Sequence, residues 1–262
     1  MLDLDRYAER VGLPRVPSPG VEALHSLHRA QALALPFENL DVLLGRTIAL
    51  DLASLEAKLV RRRRGGYCFE LNGLMLAVLR AAGFDARPLL ARVFLQRTPA
   101  DGVRGRTHQL TLVELGAHRY LVDVGFGGPT PREPIPFELE RDHDVLGDRF
   151  RLVPAGELGT MLRHRGDDGE WRDLYAFTLD TVHHADLVLG NHYTSTHPES
   201  RFMGGPRIAR VLPDARLTMS RERVQLVPTS GAQREWPTPR GDALIECLAR
   251  DFEIDIDVAP SW

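Results

Sequence analysis

The chain has 262 residues, 43% hydrophobic and 26% charged, with 23 Gly and 18 Pro, an ordinary globular composition that can bury a core and divide into two or three small domains. A net charge of −3 and a pI near 6.4 argue against a strongly basic nucleic-acid binder, and the composition excludes collagen-like, disordered and coiled-coil classes. The opening MLDLDRYAER is acidic where a secretion signal is basic, no apolar run approaches the roughly 20 residues of a membrane span, and two cysteines are too few for a disulfide scaffold. These features predict a cytoplasmic protein with no membrane partner.

The first third has a helical period. Leu4, Tyr7, Ala8 and Val11 share one helix face, and Pro17, Pro19 and Gly20 break the chain. A second helix is expected over residues 21–35, closed by Pro36. A third is expected over 55–62 with Ser54 as its cap. A fourth runs over about 68–82, with Leu71, Leu74, Met75, Val78 and Leu79 on its apolar side and Gly83 as its stop. The period then changes. Residues 87–95, 109–115 and 119–124 read as strands, the last two joined by a hairpin loop at Gly116-Ala117-His118. Residues 150–153 and 174–179 read likewise, which suggests a small antiparallel barrel or sandwich. Three more strands are expected at 208–212, 216–219 and 224–226. A last helix is expected over 241–252, with Leu244, Cys247 and Leu248 inward. The changes of period divide the chain into residues 1–84, 85–190 and 191–262.

The most informative stretch is RGGYCFELN at residues 64–72, where two glycines turn the chain and Cys68 opens a helix. Free N–H groups and the positive end of the helix dipole favour a thiolate there, the nucleophilic form of cysteine. Taken alone, the position suits a buried, inert thiol equally well. His108 heads a strand and is a candidate base. Asp123 lies among apolar strand residues, where a carboxylate needs a partner and can orient an imidazole. An ordinary histidine and a solvent-facing aspartate are the competing readings. A hairpin loop at 116–118 sets Asp123 opposite Thr111 or Leu112, on the order of 10–13 Å along the strand from His108. Contact between the two then requires a bulge, a curled barrel or an irregular strand start.

RGGYCFELN, a Thr-His strand at 107–108 and YLVDVGFGG at 120–128 together resemble the prokaryotic-type arylamine N-acetyltransferase family. PFENL at 36–40, the GF…R…ARV pattern of Gly83, Phe84, Arg87 and Ala91-Arg92-Val93, and the later set of Asn191, Ser195, Pro198, Ser200 and Phe202 extend the likeness in order over residues 36–202. The resemblance implies an α+β fold: a helical bundle carrying Cys68, a β-barrel carrying His108 and Asp123, and an α/β lid. It implies a Cys68-His108-Asp123 triad and ping-pong transfer of acetyl from acetyl-CoA, through a Cys68 thioester, to an arylamine, arylhydrazine or N-hydroxyarylamine. It places Phe37, Val93, Phe126 and Phe202 around the acyl and aryl groups, and Thr107, Gly127 and Gly128 against coenzyme A. Core packing accounts for Phe37 and Val93 nearly as well, and a plain turn for the glycines. It implies no metal.

Alternatives sharing these residues are an amide synthase that releases a carrier-bound polyketide onto an aromatic amine, and a Cys-His-Asp hydrolase. Arg61 to Arg64 read as a solvated helix end rather than a phosphate site. His183, His184, His192 and His197 fit no zinc spacing and read as loop or surface residues. Cys247 reads as inert.

Overall fold

In the computed structural model, which describes residues 2–95, 102–166, 168–260 and 262, the first third of the chain is helical. Asp3 opens α1 (Leu4–Val11) by accepting the Arg6 N–H at 3.1 Å, an N-terminal cap that satisfies one orphan donor. Then come α2 (Val21–Ala34) and two single-turn helices, α3 (Leu40–Leu43) and α4 (Leu52–Leu55). The third expected helix starts earlier than its sequence suggests. Asp51, not Ser54, is its cap, accepting the Ser54 N–H at 3.0 Å, and α4 widens into a π-type turn over Glu56–Arg61. α5 (Cys68–Ala81) is the central helix, with Leu71, Leu74, Met75, Val78 and Leu79 fully buried. Its side chains pack with Tyr7, Leu24, Leu27 and Leu59 into one core. Fully burying each Leu stabilises the fold by about 1.5–3 kcal/mol.

Eight antiparallel strands follow. They are β1 (Asp85–Val93), β2 (His108–Leu115), β3 (His118–Val122), β4 (Ile135–Pro136), β5 (Asp142–Val145), β6 (Asp148–Pro154), β7 (Thr160–Arg165) and β8 (Trp171–Phe177). Their order is β4-β3-β2-β1-β8-β7-β6-β5, and the edge strands β4 and β5 meet, so the sheet curls into a nearly closed barrel. Leu89, Leu110, Leu112, Phe150, Tyr175 and Phe177 fill it. Two of these strands, β5 and β7, have no clear alternation of apolar residues in the sequence. Arg163 and Arg165 interrupt β7, and Arg163 is held by Asp173 of β8 at 2.6 Å.

Next in the chain, α6 (His184–Thr196) carries His184 and His192, so these histidines are helical and not in a loop; both are exposed. A period reading missed this helix because Val188 and Leu189 point to solvent and blur its apolar face. A four-stranded sheet of β9 (Ile208–Val211), β10 (Ala215–Met219), β11 (Arg223–Pro228) and β12 (Arg234–Pro237) ends the β structure. α7 (Asp242–Phe252) packs Leu244, Cys247, Leu248 and Phe252 against it. No helix among the described residues is long and apolar enough to cross a membrane. The fold is α+β.

Phe37 ties these parts together through its backbone. Its N–H and C=O exchange hydrogen bonds with Ala209 of β9 at 2.8 and 2.9 Å, and the flanking Pro36 and Glu38 bond to Gly66. This close approach explains Gly65: a Cβ there would lie 2.2 Å from the Pro36 carbonyl oxygen, well inside contact distance.

Candidate active site

Cys68 is the first residue of α5 and is 3% exposed. The turn before it is held by a buried ionic group. Glu70 accepts the Tyr67 N–H at 3.1 Å with one oxygen and the Lys58 ammonium at 2.7 Å with the other. Lys58 also meets Asp41 at 2.8 Å, and Arg64 donates two N–H groups to Glu38 at 3.1 and 2.7 Å. Burial opposes the Asp41 carboxylate, but Lys58 and Arg64 outweigh it and bring its pKa down to about 2. Burial favours the neutral form of Glu70 and raises its pKa, with Lys58 opposing. Removing one partner from such a group costs about 3–5 kcal/mol, because a charge is left buried and unpaired. The solvated helix end expected at Arg61 to Arg64 therefore needs correction at its last member. Arg61, Arg62 and Arg63 are exposed, but Arg64 is buried and ion-paired.

His108 opens β2 and pairs in register with Ala91 of β1. Its Nε2 lies 2.7 Å from Asp123 Oδ2, and both residues are buried. The expected separation of these two residues was too long for a definite reason. The hairpin turn is two residues, Gly116-Ala117, and His118 belongs to β3, so Thr111 faces Val122. The strand ends at Val122, and Asp123 departs from it toward His108. The carboxylate is fixed there: Oδ1 accepts the Asn72 side-chain N–H at 2.9 Å and the Gly125 N–H at 3.1 Å. Asn72 in turn accepts the Val124 N–H at 3.0 Å and donates to the Gln109 carbonyl at 2.6 Å. Neither Asn72 nor Tyr175 was singled out from sequence. Asn72 stands four residues after Cys68 on a helix, hence on the same face, which is the signal that locates it. Tyr175 carries no such signal, since only barrel closure brings its ring within 4.9 Å of the His108 ring.

The electrostatics follow from this packing. Burial opposes the His108 imidazolium, but the charge and hydrogen bond of Asp123, helped by the Cys68 sulfur, prevail and raise its pKa to about 10. Burial also opposes the Asp123 carboxylate, and His108, Asn72 and the Gly125 N–H overcome it, so its pKa is lowered. Burial, then the Asp123 charge, keeps the Tyr175 phenol protonated. With Nε2 engaged by Asp123, Nδ1 is the His108 atom free to exchange a proton.

A cavity of about 650 Å³ stands above Cys68 and His108. Phe37, Val93, Phe126, Phe202 and Thr107 all line it. Phe202 packs on Phe37 and Tyr67 at 6.0 and 5.7 Å between ring centroids. Gly127 and Gly128 are not in the lining and stand behind its wall. Gly127 has φ +73°, and a Cβ there would meet the Phe37 ring at 2.6 Å, so the wall needs glycine. The cavity also holds Arg104, Arg201 and Arg207, which sequence reading passed over as scattered surface charge.

The second cysteine is elsewhere. Cys247 is buried on α7 with its thiol 3.4 Å from Asp251, and burial, then that carboxylate, raises its pKa to about 11. Cys247→Ala is expected to leave kcat/KM unchanged, checked by steady-state assay beside wild type. Among the described residues, no group of three or more His, Cys, Asp or Glu is placed to hold a metal ion.

Known proteins agree with this architecture. A family model described as N-acetyltransferase matches residues 20–260. An arylamine N-acetyltransferase of Mycolicibacterium smegmatis is 39% identical over 258 residues, 97% of this chain and 93% of that protein. An arylamine N-acetyltransferase / N-hydroxyarylamine O-acetyltransferase of Salmonella typhimurium is 37% identical over 256 residues, 97% of this chain and 89% of that protein. The solved structure of Mycobacterium marinum arylamine N-acetyltransferase in complex with CoA superposes with a TM-score of 0.90 at 34% identity, covering 96% of this chain and 93% of that one. A cysteine at a helix N-terminus beneath an aromatic cavity, and relatives matched over nearly their whole length, lead to one conclusion: the chain belongs to the arylamine N-acetyltransferase family.

Proposed function

We propose that the protein transfers acetyl from acetyl-CoA to the nitrogen of arylamines, arylhydrazines or N-hydroxyarylamines, through a thioester on Cys68. The observation that carries this reading is the buried His108–Asp123 pair, 2.7 Å apart, beside Cys68 at the floor of an aromatic-walled cavity. The relatives favour acetyl transfer over the amide-synthase and hydrolase readings. The cytoplasm, with free coenzyme A, is the proposed setting.

The residues divide the work as follows. Cys68, held as thiolate by the helix N-terminus and the His108 imidazolium, attacks the thioester carbonyl. First-turn N–H groups of α5 stabilise the oxyanion. As the C–S bond to coenzyme A breaks, His108 gives its proton to the leaving thiolate. This exchange of one thioester for another is nearly neutral in energy. In the second half, the amine attacks the Cys68 thioester and His108 takes its proton through Nδ1. Cys68 leaves as thiolate, and the cycle closes. Asp123 holds the imidazole orientation and charge. Phe37, Val93, Phe126 and Phe202 supply the apolar walls that an aryl ring requires, and Thr107, Gly127 and Gly128 are proposed to border the pantetheine arm.

Initial-rate kinetics with acetyl-CoA and 4-methoxyaniline test the reading. Parallel double-reciprocal lines and N-acetylated product are expected. Intersecting lines, or no product with any arylamine tried, overturn it.

A further inference from the structure

The cavity above Cys68 is more positive than transfer of a neutral acetyl to a neutral amine requires. Arg104, Arg201 and Arg207 line it in a chain whose net charge is −3. None of the three pairs with a carboxylate among the described residues; Glu199, the one acidic side chain in the described lining, is not within ion-pair distance of any of them. Arg201 has only the face of Phe202 beneath it, 5.8 Å from guanidinium to ring centroid. It retains solvent contact but lies in the concave cleft. There desolvation, then repulsion from Arg207 and Arg104, lowers its pKa to about 10, while the Cys68 sulfur opposes the shift. It is still a cation at neutral pH, within electrostatic reach of the reacting sulfur. The arrangement contrasts with Lys58 and Arg64, whose charges are met by Glu38, Asp41 and Glu70.

Three like charges left unpaired in one cleft oppose folding, and such arrangements focus an attractive field on an incoming anion. Guanidinium groups match a carboxylate by paired, charge-assisted hydrogen bonds. The phosphates of coenzyme A are separated from the thioester sulfur by the whole pantetheine arm. A cation coupled to Cys68 itself therefore faces the acyl group or the acceptor. Resting on the acetyltransfer reading above, the geometry points to Arg201, backed by Arg207 and Arg104, as a carboxylate subsite that selects substrates bearing an anionic group near the reacting carbon. The carboxylate has two sources. It belongs to the acceptor, as in an aminobenzoate, or to the acyl group, as in a malonyl thioester.

Arg201→Gln tests this, with stoichiometric iodoacetamide labelling of Cys68 as the check of an intact site. One arm uses 4-nitrophenyl acetate as donor, which carries no phosphate, and compares 4-aminobenzoate with 4-methoxyaniline as acceptors. The other compares acylation of the enzyme by malonyl-CoA and by acetyl-CoA, read by intact mass. The expected result is a fall of about tenfold in the anionic-to-neutral ratio of kcat/KM in the first arm, or of acylation rates in the second. The arm that responds identifies the source. Unchanged ratios in both arms overturn the proposal. So does an equal loss with both CoA thioesters and none with 4-nitrophenyl acetate, which assigns the arginines to the phosphates of coenzyme A. If wild type acetylates no arylamine at all, the acetyltransfer reading fails instead.

Discussion

Cys68→Ala is expected to abolish acyl transfer while the protein remains folded. Incubated with acetyl-CoA alone, wild type should gain the mass of one acetyl group, and the variant none. The expectation rests on position. Cys68 is the one cysteine at a helix N-terminus, and it lies on the cavity floor beside His108. The other, Cys247, is buried on α7, where an adjacent carboxylate further disfavours its thiolate. The substitution removes one sulfur from the core, at a cost of about 1–2 kcal/mol, and leaves the ionic group behind the turn untouched. Acetylation of the variant, or residual turnover near wild type, would show that Cys68 is not the nucleophile.

Asp123→Asn is expected to lower kcat/KM by about 10³-fold or more, as when other buried carboxylates that orient a catalytic imidazole are neutralised. The amide keeps the shape but removes the charge that holds His108 protonated against its own burial. With that charge gone, desolvation dominates and the His108 pKa falls. Thiolate formation at Cys68 then loses its counter-charge. The pH profile of iodoacetamide labelling separates this from a simple loss of structure. In wild type, labelling should be fast at neutral pH; in the variant, its rate should rise only toward about pH 8.5, as for a free thiol. A profile equal to wild type would remove Asp123 from the proposed mechanism.

Stability should follow the same pair, with the sign set by His108. Its folded pKa lies above the unfolded value of about 6.5, so its contribution is complete below that pH and is lost as pH rises toward 10. Asp123 shifts the other way. Its contribution is complete above the unfolded carboxylate value and is lost as pH falls through the lowered folded one. Urea midpoints across pH should therefore fall at both ends in wild type and less steeply in Asp123→Asn.

Much of the helical part was legible because a helix that buries one face must repeat its apolar residues. Leu71, Leu74, Met75, Val78 and Leu79 announce α5, and the glycines before Cys68 announce its start. Strands β1, β2 and β3 were legible from their Val and Leu content. α6, β5 and β7 were not, because their exposed apolar or paired charged residues erase the period that burial would impose. Similarly, Arg64 looks like its three exposed neighbours in sequence, and only folding surrounds it with Glu38 and Asp41.

The sequence by itself determined that a cysteine begins a helix, that an aspartate ends a strand, and which family these motifs resemble. Those are local matters, settled within a few residues by turn chemistry and period. Tertiary structure decided the contact between His108 and Asp123. It depends on a two-residue turn, on the chain leaving β3 after Val122, and on Asn72 reaching across from α5. It also decided that three arginines, dispersed from 104 to 207, share one cavity with Cys68. No spacing rule encodes either arrangement, because each is fixed by how a barrel closes against a helix, where the partners are brought together by packing and not by neighbourhood along the chain.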